Sequence, residues 1–178
     1  MTLTDLLTES EWNDFIKDLH EEFGISCAAA DADGAHVSHY DNCCNRICPV
    51  IKDKPEALTT ICASAMKSFT AETKASGKPL IEACDIGLIK VAVPVFVGET
   101  FLGTVGGCGL LPEQGEVEEF LIQQTTGLPE ERIAELADGI ATMTEVQARK
   151  LADTIAARLA AIVSSYEARR ASEFSSAS

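Results

Sequence analysis

The sequence predicts an α+β domain, with a central antiparallel sheet flanked by helices and a long C-terminal helix. Three observations predict it. The first 24 residues carry a helical period of apolar side chains. Three strand-like runs, residues 80–84, 88–97 and 100–108, follow a central helix and are separated by glycine-bearing turns. Beyond Pro112 the pattern is helical again. Helix, strand, helix, strands and helices in that order make an α+β arrangement.

The first helix is written locally. Thr8 and Glu11 form a capping-box pair, with Leu7 and Trp12 placed as a hydrophobic staple. Trp12, Phe15, Ile16, Leu19 and Phe23 then recur at helical spacing, and Gly24 stops the helix. A short helical turn is expected before it, around Leu3 to Leu7. Residues 25–30 read as a buried strand. Asp31-Ala32-Asp33-Gly34 reads as a turn, and residues 35–38 as the returning strand of a hairpin. Residues 39–53 are irregular. Pro55 opens a second helix with Leu58, Ile61, Cys62, Ala65, Met66 and Phe69 on its inner stripe, ended by Gly77 and Pro79.

Gly98-Glu99 is a two-residue hairpin signal between apolar runs. Pro94 belongs at a strand edge or bulge, because it cannot donate to a ladder. Residues 116–126 and 129–138 are short amphipathic helices. The long helix runs from about residue 144 past Tyr166, with Leu151, Ile155, Leu159, Ile162 and Tyr166 close to a coiled-coil seam. Residues 1–140 form the globular unit. Residues 141–178 form a signalling or dimerisation helix and a disordered tail from Ser172 onward.

The 178 residues include 28 acidic and 14 basic side chains, a formal net charge of −14. That excludes a phosphate-neutralising surface, so no nucleic-acid partner is expected, and an anionic membrane is disfavoured for the same reason. No secretory signal is visible, and no apolar stretch reaches the roughly 18 residues that span a bilayer. A cytoplasmic location with reduced thiols is expected. Seven cysteines are an odd number, which a closed disulfide framework does not leave.

The thiols are the sharpest chemical signal. Cys44 and Cys48 are four apart and share a face on a helical turn. Cys62 lies on an inward stripe, and Cys84 and Cys108 end two strands of one sheet. Cys44, Cys48, Cys62 and Cys84 are therefore candidate metal ligands, with Cys108 as the alternative fourth. Four thiolates suit an iron–sulfur cluster or Zn²⁺. Scattered single cysteines favour the cluster over zinc, and without either the site takes a small organic ligand. Against this, buried cysteine commonly serves as a small hydrophobe, and Cys27 and Cys43 are assigned to core and loop. Cys84, Asp85, Gly107 and Cys108 are candidate ligand-binding residues, Asp85 as a hydrogen-bond acceptor at a pocket mouth. A plain turn accounts for Asp85 equally well. His39 stands four residues before Cys43, within reach of a thiolate set, although loop histidines are more often solvated.

PAS and GAF sensory domains share this element order. A closer resemblance rests on Cys48 and Cys62, Gly77-Lys78-Pro79 and Cys84-Asp85-Ile86-Gly87-Leu88. Ala92-Val93-Pro94-Val95-x-Val97-Gly98 and Leu102-Gly103-x-x-x-Gly107 complete it. In these the chain resembles the sensory domain named after PocR, the regulator of propanediol utilisation. The resemblance implies a PAS/GAF-like fold, small-molecule binding, and an output module such as a DNA-binding domain or kinase. It carries Cys48, Cys62 and Cys84 over as the family's cysteines. Two positions depart: the family commonly has His where this chain has Asp85, and Gln where it has Cys108. The expected function is a non-enzymatic sensor that binds a small ligand or a cysteine-held metal or cluster. It is expected to signal through a homodimerising helix to an unidentified output protein. The alternative is a thiol enzyme using Cys84, which an adjacent carboxylate disfavours by repelling the thiolate.

Overall fold

The computed structural model describes residues 1–176. A sheet of four antiparallel strands runs in the order β1 (Ser26–Asp31), β4 (Thr100–Pro112), β3 (Ile89–Val97) and β2 (Leu80–Ala83). A two-residue β5 (Thr142–Met143) pairs in parallel with the end of β4. The α+β class with a long C-terminal helix is observed.

The helices are α1 (Leu3–Leu6), α2 (Glu9–Phe23), α3 (Ile47–Lys52) and α4 (Pro55–Ala57). A π-helical segment, Leu58–Ala63, joins α4 to α5 (Ser64–Ser76). Then come α6 (Glu119–Thr126), α7 (Glu130–Ala137) and α8 (Glu145–Ser176). The Thr8–Glu11 capping box forms, with Thr8 N–H donating to Glu11 Oε2 at 2.7 Å. Trp12 Nε1–H donates to the Leu3 carbonyl at 3.0 Å, which fastens α1 to α2.

Side chains alternate across the sheet and so separate two layers. Ala29, Val91, Val93, Val95 and Val105 face a core shared with α1, α2 and α8. Lys90, Ala92, Thr104 and Cys108 take the alternate positions, on the face covered by α5. A second apolar cluster lies at the end of the sheet. Ile47, Ile51, Ala57 and Ile61 meet Ile86, Leu88, Ile122 and Ile133 there.

Three expectations differ from the structure. Residues 35–38 do not return as a strand; one bridge, Ala30 to His36, is all that pairs there, and β1 takes β4 as its partner. The expected disordered tail is helical through Ser176; residues 177 and 178 lie outside the described residues. The third concerns the seam of α8. Leu151, Ile155 and Leu159 are buried in the chain's own core, and Ile162 and Tyr166 pack against it. A seam of this spacing serves a sheet face as well as a twin helix, and here the sheet has it. Pro94 behaves as expected, since β2 pairs only with Ile89 to Ala92 and leaves that side of β3 free beyond them.

Candidate thiol site

Five elements deliver the cysteines to one region. Cys44 is in the loop before α3, Cys48 in α3, Cys62 in the π-helical segment, Cys84 after β2, and Cys108 in β4. Cys108 lies close enough to Cys27, Cys44, Cys48, Cys62 and Cys84 for its charge to bear on the titration of each. Cys48, Cys62 and Cys84 pack along the edge of the second apolar cluster, whereas Cys44 packs on the first. Cys27 faces the other layer, opposite Gly107. Cys43 is exposed.

Local structure explains several of these placements. Asn45 sets the start of α3. Its Oδ1 accepts from the N–H groups of Ile47 at 3.1 Å and Cys48 at 2.8 Å. Its Nδ2 donates to the Gly109 carbonyl at 2.7 Å and to Cys48 Sγ at 3.2 Å. The two backbone donors fix which end of the amide is oxygen, so the N–H to sulfur bond follows from the network. Gly109 is the extra residue of a β-bulge between Lys90–Cys108 and Ile89–Leu110. Its φ of +114° favours glycine, and a Cβ there would stand 2.7 Å from Cys44 Sγ. The π-helical turn carries Cys62; such turns occur mostly as single insertions, frequently at functional sites.

Burial sets the thiol chemistry. It pushes Cys48 up to about 12, with neighbouring Cys108 adding to the rise and the Asn45 amide opposing it. Cys27 is likewise raised to about 12, by burial and then by Cys108 and Cys44. Burial also raises Cys44, where Ser26 opposes the rise, and Cys62. Cys84 is raised for the same reason, partly countered by the N–H groups of Ile86 and Leu88. All five are protonated near neutral pH and are weak nucleophiles there, which counts against Cys84 as a catalytic thiol.

Other candidates sit elsewhere. Asp85 is exposed on the turn closed by Gly87 N–H to the Cys84 carbonyl, 2.8 Å. Gly107 faces β1: a Cβ there would meet Ile25, Ser26 and Cys27, so its smallness serves strand packing. His39 turns to α2, its ring 3.8 Å from Glu9. Cys44 is held by Ser26, whose Oγ–H donates to its sulfur at 3.1 Å and whose Oγ accepts from its N–H at 2.9 Å. Among the described residues no three His, Cys, Asp or Glu side chains are placed to hold a metal ion. A four-thiolate shell therefore needs side-chain movement to close. The surface hollow between α2 and α8 is lined by Phe15, Asp18, Glu22 and Arg158 and by no cysteine.

Sequence reasoning passed over Asn45 and Lys90. Asn45 carried a signal, an Asx residue just ahead of a helix. Lys90 carried another, a single charge inside an apolar strand run.

Among the described residues no helix is long and apolar enough to cross a membrane. Residues 5–166 match the family described as the sensory domain found in PocR. The match extends well into α8, past the division at residue 140 drawn from the sequence. No curated protein and no solved structure gives a significant match. The chain belongs to the PocR sensory-domain family.

Proposed function

We propose that this PocR-family sensory domain senses by holding a soft-metal or iron–sulfur centre in its thiol layer. The observation that carries the reading is that Cys48, Cys62 and Cys84, from three separate elements, pack against one apolar cluster. Sulfur donors select zinc or iron–sulfur clusters over hard cations. The Asn45 N–H aimed at Cys48 Sγ is the kind of outer-shell contact that orients a ligating sulfur. Cys48, Cys62, Cys84 and Cys108 are the favoured ligands, because Cys44 is already engaged by Ser26 and packs in the other cluster. Asp85 and Gly107 have no part in this reading.

Signal output is assigned to α8, whose first half packs on β3 and whose later residues are exposed. Homodimerisation through α8 requires the face opposite the buried seam. Sedimentation at tens of micromolar tests it, and a monomer removes it.

The deciding experiment for the centre is anaerobic purification with a visible spectrum and analysis for iron, sulfide and zinc. A brown protein with iron and sulfide supports the cluster. Zinc at one per chain supports a mononuclear site. A metal-free protein that stays colourless after reconstitution overturns the proposal and leaves a small organic ligand as the reading to pursue.

A further inference from the structure

The sheet face under α5 is floored by small side chains and holds a buried cation. Lys90 of β3 stands opposite Cys108 of β4. Two residues along, Ala92 stands opposite Gly106, which pairs in turn with Ala28 of β1. Opposed residues of an antiparallel pair present their side chains on one face. The roof is α5, which packs on β3 and β4 and sets the buried Phe69 over Lys90. That roof is not closed. Gly106 and Cys108 lie on a strand flanked on both sides, yet they and Ala28 are only half-buried. Lys90 is 9% exposed, with its Nζ 5.5 Å from the centre of the Phe69 ring. Glu82 faces it across the β2–β3 ladder and is exposed, but no ion pair among the described residues includes either side chain. The ammonium thus turns away from that carboxylate and inward under α5. A ring face is a weaker partner than an anion, and a buried ammonium is costly unless paired. Among the described residues, Thr70 Oγ1 is the one side-chain nitrogen or oxygen both sealed from solvent and without a hydrogen-bond partner. Lys90 Nζ has no such partner either, so its tip reaches accessible space above the floor.

We propose that this face takes a small aliphatic carboxylate, its charged end on Lys90 and its hydrocarbon body on Ala28, Ala92 and Gly106. A single ammonium calls for a single negative charge. A floor with nothing beyond Cβ gives an apolar body room and offers no hydrogen bonds to a polyol. Strands lie about 4.8 Å apart and alternate residues about 6.8 Å apart, so the floor suits a chain of about two to four carbons. The net charge of −14 repels anions from the surface at large, so binding one depends on the inward cation. The inference needs no metal and no thiolate, and it stands or falls apart from the metal reading above.

The test is thermal melting of the full, reduced chain in the presence of a chelator, with sodium propionate titrated against sodium chloride at equal ionic strength. Wild type is expected to show a saturable rise in its midpoint of about 3 °C or more. Propionamide, which keeps the shape and lacks the charge, is expected to give none. Lys90→Met removes an unpaired buried charge, so it is expected to raise the ligand-free midpoint and abolish the propionate response. Lys90→Arg is expected to keep the response. Ala28→Leu fills the floor with Lys90 in place and is expected to weaken propionate binding about tenfold or more. Lys90→Gln replaces Lys90→Met should the latter fail to give the wild-type circular dichroism spectrum. No rise beyond chloride in wild type overturns the proposal, as does an equal rise with propionamide or with inorganic phosphate. A full propionate response in the neutral variant overturns the role of Lys90. Because every melt is metal-free, none of these outcomes bears on the iron, sulfide or zinc content that decides the metal reading.

Discussion

At the scale of single residues, Asn45 joins the most interactions at the site for one side chain. It caps α3, ties that helix to the β4 bulge, and reaches Cys48 Sγ. Asn45→Ala leaves the Ile47 and Cys48 N–H groups and the Gly109 carbonyl without these partners. A loss of about 1–3 kcal/mol in urea unfolding is expected. Asn45→Asp keeps the acceptor and loses the donor, so it should fall between. The buried thiols give a second prediction, on pH. Cys27 and Cys48 rise from an ordinary 9.0 to about 12 in the folded chain. Folding therefore binds protons that the unfolded chain releases. The stability they contribute is fully present below pH 9 and is lost as pH climbs toward 12. Under reducing, metal-free conditions the thermal midpoint should fall steeply across that window. Cys48→Ala should flatten the fall, and an unchanged slope would argue that Cys48 is solvated.

At the scale of elements, α8 shows what a local pattern does and does not reveal. Its apolar spacing is legible in the sequence, but the partner of the stripe is not, because a sheet face and a twin helix ask for similar periods. The buried seam makes a separable prediction. Ile155→Ala should cost about 2–5 kcal/mol in the isolated chain, independent of protein concentration. Val146, 78% exposed, should tolerate alanine within about 0.5 kcal/mol. A concentration-dependent melt for Ile155→Ala would return the seam to an interface between copies. Capping at Thr8, the Gly98 turn and the strands β2 to β4 were legible because their causes lie within a few residues. The residue 35–38 hairpin is legible in part: its turn forms and one antiparallel bridge, Ala30 to His36, follows, while the full ladder of β1 is with β4, more than 70 residues away, which no local signal encodes. β4 runs on past Cys108 to Pro112, but the place of Cys84 just after β2 was legible as a strand end. The preference for Cys108 over Cys44 was not, because it depends on Ser26 and on the Gly109 bulge.

At the scale of the whole molecule, the sheet separates a structural layer from a chemical one. One face, with α1, α2 and α8, is apolar throughout its centre; the other brings Lys90 and Cys108 under α5. β3 joins the two layers: it holds Lys90 on one face and Val91, Val93 and Val95 against the core shared with α8 on the other. This arrangement dictates how much of α8 the fold itself needs. Leu151, Ile155 and Leu159 cover the sheet, so a chain ending at Met143 would leave the apolar face of β3 bare. It should fail to fold cooperatively. Past Tyr166, residues 167–173 are exposed, and Arg169 donates to the Leu6 carbonyl at 3.3 Å. A chain ending at Tyr166 should retain the full far-UV spectrum per folded residue and lose less than about 1 kcal/mol of stability. Urea unfolding of the two truncations decides it. If removing residues 167–178 destabilises the domain as severely as removing α8 altogether, the distal helix is part of the core and not the segment through which a signal leaves.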